Sequence, residues 1–193
     1  MGSSGEDVFM MKFIRSRYLH TTLLALGLST SCLVQSAAPN PYTFTKNNNA
    51  SNSNATELKL LQNHFQQQRK QAGLSSKSIR VGDVVWSYNE GGSHSKPTIL
   101  LIHGLAGTRD NWNRVAQFLT PYYHVIIPDL PNSGDTKTPS NFDNSVPNVT
   151  SQLRQFIEAI DCEENLHVAG HSLGGSIATV YASQYPFDTQ SLF

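Results

Sequence analysis

The chain has 193 residues, 38% of them apolar and 15% charged, which is enough for one ordinary globular domain. Fourteen Lys and Arg balance fourteen Asp and Glu, so there is neither a basic face that would suit nucleic acid nor an acidic tail. The two cysteines, Cys32 and Cys162, stand in unlike settings and argue against a disulfide framework.

Residues 1–38 read as an N-terminal extension plus a secretory signal. Lys12, Arg15 and Arg17 precede a modest apolar stretch over residues 19–28, and small residues follow up to Ala37 and Ala38. His20, Thr21 and Thr22 interrupt that stretch, which falls short of the about 20 apolar residues a membrane span needs. Cleavage after Ser36 fits the small-residue rule. A lipid anchor at Cys32 is the weaker fit, because Ser29-Thr30-Ser31-Cys32 lacks the aliphatic residue usual before a lipidated cysteine. Glu6 and Asp7 do not suit an export signal, so Met10 or Met11 is the expected start. The expected location is therefore outside the cytoplasm: secreted, periplasmic or in the cell envelope.

Residues 39–56 are polar and rich in asparagine and predict a flexible leader. An incomplete domain then fills residues 57–193. Leu58, Leu61 and Phe65 recur at helical spacing up to Gly73, which suits the left-handed position after a helix. Ile79, Val81, Val84, Val85, Trp86 and Tyr88 predict a hairpin that turns at Gly82-Asp83 and ends at Gly91-Gly92. The runs Ile99-Leu100-Leu101-Ile102 and Val125-Ile126-Ile127 read as strands covered on both faces. Between them, Trp112, Val115, Ala116 and Leu119 mark a helix with Asp110 or Asn111 as its N-cap. Val149, Leu153, Phe156, Ile157 and Ile160 mark the next helix, and Ile177, Val180 and Tyr181 a third that ends before Pro186. This alternation predicts an α/β fold with a mostly parallel sheet and helices on both faces. Ser191-Leu192-Phe193 read as the first steps of a further strand, and a chain that stops inside an element is expected to be a fragment.

Chemistry concentrates at Gly170-His171-Ser172-Leu173-Gly174, set between the apolar run 166–169 and a helical pattern. A sharp strand-to-helix turn needs glycine at 170 and 174, holds Ser172 in a strained conformation, and points a helix N-terminus at its hydroxyl. Ser172 is thus the candidate nucleophile, although a serine needs a base and no histidine follows position 171. His171 is read as a packing residue beside it. His64, His94, His124 and His167 show no metal-ligand spacing along the chain and are read as surface or satisfied residues. Cys162 is read as a free thiol in a helix-to-strand loop.

A second motif, His103-Gly104-Leu105-Ala106-Gly107, follows the strongest strand, and a third, Asp129-Leu130-Pro131-Asn132-Ser133-Gly134-Asp135, follows the next. Together with the serine pentapeptide, these make residues 79–193 resemble bacterial lipases and esterases of the α/β-hydrolase superfamily. The resemblance covers only the N-terminal part of that fold, up to the helix after the nucleophile elbow. It implies that Ser172 is the nucleophile, that the backbone amides of Leu105 and Leu173 form the oxyanion hole, and that His103, Gly104 and Gly107 shape the loop carrying Leu105. Asn132 stands where the family has glycine, and asparagine tolerates the left-handed backbone. Asp129 is structural by this resemblance, while the triad acid and histidine would lie beyond Phe193.

The implied activity is carboxylic-ester hydrolysis of lipase type through an acyl-enzyme, with an ester or lipid substrate and neither cofactor nor metal. Without its base, the chain as given is expected to be inactive. The same elbow also serves carbon–carbon bond hydrolysis, perhydrolysis and acyl transfer, and a non-catalytic truncated product is the reading from a different class. Acyl-chain length, cap structure and oligomeric state have no signature in these residues.

Overall fold

The computed structural model describes residues 51–193, so the signal, Cys32 and the first part of the leader lie outside the described residues. The elements in chain order are α1 (Ser51–Gln71), β1 (Leu74–Val81), β2 (Val84–Gly91), β3 (Thr98–Ile102), a 3₁₀ turn (Arg109–Trp112), α2 (Asn113–Leu119), β4 (His124–Pro128), α3 (Val146–Ala159), β5 (Leu166–Gly170), α4 (Leu173–Gln184) and β6 (Thr189–Leu192). The six strands form one sheet in the order β1-β2-β4-β3-β5-β6. The β1–β2 and β2–β4 pairings are antiparallel and the other three are parallel. The hairpin opens the sheet, as its β-branched and aromatic run predicts, and β3, β4, β5 and β6 run parallel, as the strand–helix alternation predicts. Val81 pairs with Val84 across the Gly82-Asp83 turn, and Gly82 takes the positive φ of 56° that the turn requires.

Side-chain alternation along the central strands divides the core into two layers. Leu100, Ile102, Ile126 and Val168 pack on one side with Leu153 and Phe156 of α3 and with Ile177 and Tyr181 of α4. On the other side Ile99, Leu101, Val125 and Ile127 pack with Ala72, just past α1, and Ala116 of α2. Central strands buried on both faces explain why β3 and β4 are continuous apolar runs rather than alternating ones.

Two helices differ from the sequence expectation. The α1 helix begins at Ser51, inside the stretch read as a flexible leader, and its Leu58 and Leu61 are exposed. Its tie to the sheet lies at the C-terminal end, where Arg69 pairs with Asp110 at 2.6 Å and Ala72 is buried. Neither Asp110 nor Asn111 caps α2. Thr108 instead caps the preceding 3₁₀ turn, its hydroxyl and the Asn111 side chain forming a capping box, and α2 continues directly from that turn without a side-chain cap. The added 3₁₀ turn moves the helical start several residues upstream of the apolar pattern. No helix among the described residues is long and apolar enough to cross a membrane.

Candidate active site

The C-terminal ends of β3, β4 and β5 carry the three motifs, the edge of an open α/β sheet where ligands bind. Gly170 ends β5, Leu173 opens α4, and Ser172 sits between them at φ 56° and ψ −120°. That left-sided backbone is rare for a residue with a side chain and costs on the order of 1–3 kcal/mol, a strain that the surrounding contacts must hold in place. They do so by close backbone approach. A Cβ on Gly174 would lie 2.3 Å from the Ile102 carbonyl oxygen, and one on Gly170 would lie 2.2 Å from the Gly174 carbonyl oxygen. The turn is closed by Gly174 N–H donating to the His171 carbonyl at 3.0 Å and by His171 N–H donating to Ile102 at 3.1 Å.

The loop after β3 lies against this elbow. A Cβ on Gly104 would meet the His171 carbonyl oxygen at 3.0 Å and the Ser172 Cβ at 3.2 Å, so glycine is what lets the two loops touch. His103 is buried and holds the loop with both ring nitrogens. Its Nε2 accepts the Leu130 N–H at 3.0 Å, which leaves Nδ1 to carry the proton and donate to the Gly104 carbonyl at 2.8 Å. Gly107 N–H donates back to Gly104 at 3.0 Å, and Ala106 takes a positive φ of 57° at the tip. Among the described residues the amides of Leu105 and Leu173 make no hydrogen bond. Both residues border a crevice of about 420 Å³ whose other walls include Leu130, Val149 and Ile177. Leu105 is itself 81% exposed.

Beneath the loop lies a polar cluster in which the sequence reading gave Arg109, Asn89 and Asp135 no part. Asp129 is fully buried at the end of β4; its Oδ1 accepts the Arg109 N–H at 2.7 Å and its Oδ2 pairs with the Arg109 guanidinium. The same guanidinium donates to Asn89 Oδ1 at 3.2 Å and to Asp135 at 2.6 Å. Burial alone would pull the arginine down, but the Asp135 hydrogen bond and the charges of Asp129 and Asp135 outweigh it and hold Arg109 firmly protonated. Asp129 also accepts Asp135 N–H at 2.9 Å, and its own carbonyl accepts the Thr136 hydroxyl at 2.8 Å. Every acceptor of this carboxylate is thus committed to the scaffold. Asn132 adopts φ 59°, the left-handed conformation expected of it. The available signal for the cluster was Arg109 two residues past one glycine-rich motif and Asp129 and Asp135 within another, but no periodicity links positions twenty residues apart.

The remaining candidates are dispersed. His171 is exposed, although its ring borders the loop after β3, where a Cβ on Gly104 would lie 3.1 Å from Nδ1. Among the described residues no hydrogen bond joins Ser172 to a histidine. His64 lies on α1 beside Gln68, and His167 pairs with Ser191 of β6 at 2.6 Å. Cys162 is buried between α3 and β5 as a free thiol, and burial pushes its pKa up to about 11.

A serine on a strained strand–helix elbow, beside a glycine loop anchored by a buried histidine, on a mostly parallel sheet covered on both faces, defines an α/β-hydrolase. The chain belongs to that superfamily: residues 97–191 match the family model for the alpha/beta hydrolase fold. It resembles bacterial lipases. Lipase 1 of Psychrobacter immobilis is 36% identical over 142 residues, which cover 72% of this chain and 44% of that protein. Human monoacylglycerol lipase ABHD6 is 30% identical over 135 residues, 69% of this chain and 40% of its own length. Among solved structures, a candidate lipase (lip1) from Acinetobacter baumannii AYE is 64% identical with a TM-score of 0.67, over 68% of this chain and 44% of that one. The chain therefore spans less than half the length of the relatives it matches.

Proposed function

We propose that the protein to which this chain belongs is an exported serine ester hydrolase of lipase type. The observation that carries the reading is the placement of Ser172, strained at φ 56° on the elbow with Gly104 packed against it. The lipase relatives and the apolar crevice beside Leu105 and Leu173 favour an ester with an acyl tail.

Ser172 Oγ attacks the ester carbonyl while a histidine from elsewhere in the whole protein takes its proton. The tetrahedral oxyanion is held by the unbonded amides of Leu105 and Leu173, each of which contributes about 10²–10³ in rate where such donors have been removed. Collapse of the intermediate expels the alcohol, which takes the proton back from the histidine. Water, activated by the same base, then releases the acid and restores Ser172. Low local polarity strengthens both steps, since Leu130, Val149 and Ile177 wall the crevice on one side.

The test is hydrolysis of p-nitrophenyl butyrate and palmitate by the whole protein and by its Ser172→Ala variant. Loss of the nucleophile should lower kcat by about 10⁶, and a variant that keeps turnover near the parent's refutes the assignment. The 193-residue chain alone should show negligible turnover, because among the described residues no histidine is hydrogen-bonded to Ser172; activity within about tenfold of the whole protein would overturn that part.

A further inference from the structure

We propose that Glu90, His94 and His124 form a binding site for a divalent transition-metal ion, zinc by donor chemistry, at the end of the sheet opposite Ser172. The cluster lies where the parallel strands begin. Glu90 is the penultimate residue of β2, His94 lies in the β2–β3 connection, and His124 opens β4. Ser172 follows the other end of β5.

The geometry is convergent. Glu90 Oε1 is 2.7 Å from His124 Nε2 and 3.2 Å from His94 Nε2, and one donor atom from each residue lies within 4.8 Å of the others. Donors bound to one tetrahedral zinc at about 2.0–2.2 Å are about 3.4 Å apart, so an ion is admitted once the Glu90–His124 pair opens by about 0.7 Å and the widest pair closes by no more than about 1.4 Å. The two imidazoles are tilted 42° to one another, with centroids 4.1 Å apart, and present their Nε2 atoms to a single carboxylate oxygen. Two imidazoles and a carboxylate suit zinc, whereas calcium and magnesium favour oxygen donors.

The surroundings supply what a metal ligand needs. His124 and Glu90 are buried, which fixes two of the three donors before any ion arrives. Without an ion His124 Nε2–H donates to Glu90 Oε1; ligation moves that proton to Nδ1, which faces the Thr98 hydroxyl at 3.4 Å as its acceptor. Lys77 binds the other carboxylate oxygen, Oε2, and so turns Oε1 toward the imidazoles. Its charge opposes a cation, but Lys77 is half exposed and can swing into solvent. The Cys162 thiol approaches Nδ1, on the far side of the His124 ring from the site, and so is not a fourth ligand. His94, exposed on its loop, closes the site and leaves the fourth position to solvent.

The experiment uses the whole protein stripped with EDTA and titrated with Co²⁺, followed by Zn²⁺ displacement. One equivalent of Co²⁺ should give the intense visible absorption of a four-coordinate nitrogen and oxygen site, and Zn²⁺ should abolish it. His94→Ala, at an exposed position that leaves the fold intact by circular dichroism, should weaken binding at least about tenfold, while His64→Ala should not. Absence of a stoichiometric cobalt spectrum overturns the proposal, as does a His94→Ala protein that binds as tightly as the parent. Neither readout depends on ester hydrolysis.

Discussion

Asp129 reaches back twenty residues to Arg109, taking its backbone N–H at 2.7 Å on one carboxylate oxygen and its guanidinium on the other. One buried acid thus fixes both the start of the 3₁₀ turn after the β3 loop and the turn after β4. Replacing it with alanine leaves Arg109 buried beside Asn89 with Asp135 as its remaining carboxylate contact, and leaves the Arg109 and Asp135 N–H groups without their acceptor. Asp129→Ala should destabilise the chain by about 3–5 kcal/mol, the usual cost of removing one member of a buried ion pair, read from urea unfolding. Stability within about 1 kcal/mol of the parent would mean that the pair contributes nothing.

Two adjacent glycines in α4 should respond in opposite ways to the same substitution. At Gly174 a Cβ would lie 2.3 Å from the Ile102 carbonyl oxygen, a backbone atom that cannot move without disturbing β3. At Gly175 the nearest atom is 3.4 Å away, an ordinary contact. Gly174→Ala should therefore abolish stable folding or cost several kcal/mol. Gly175→Ala should be neutral or gain up to about 1 kcal/mol from helix propensity. Thermal unfolding of the pair decides the matter, and equal midpoints would refute the close approach.

His103 joins the loop after β3 to the loop after β4 through two hydrogen bonds. His103→Phe keeps a flat ring, somewhat larger than imidazole, but leaves the Leu130 N–H and the Gly104 carbonyl without these partners, at about 1–3 kcal/mol for each group that stays buried. Denaturant unfolding should show that loss, and the whole protein should also lose kcat, because Leu105 is then poorly placed. Unchanged stability together with unchanged kcat would remove His103 from any positioning role.

Burial holds the Cys162 thiol near pKa 11, so very little thiolate is present at pH 8. In a Cys32→Ser background, Cys162 should react with iodoacetamide at pH 8 at least about 100-fold more slowly when folded than in urea. Comparable rates in the two states would show the thiol to be accessible.

The backbone features of the candidate site that were legible in the sequence are those whose geometry is local. Gly170, Ser172 and Gly174 lie within five residues, and a strand run before them and a helical run after them force a sharp turn whatever the rest of the fold does. Asn132 could be assigned its left-handed backbone because one residue type at one turn position carries that preference. The helix ending near Gly73 was legible from its periodicity, but its start at Ser51 was not, because the polar, asparagine-rich residues there carry no apolar period.

The sequence by itself therefore determined the alternation of strands and helices, the hairpin, the elbow and the glycine loop, since each follows from short-range pattern and backbone sterics. Only the tertiary structure decided that Arg109 belongs to Asp129, that His103 anchors Leu130, and that Glu90, His94 and His124 converge. Those contacts bring together positions separated by up to 34 residues, across strands whose order in the sheet is not their order in the chain. Strand order is set by how the whole core packs, and no local preference of a histidine or an arginine encodes it.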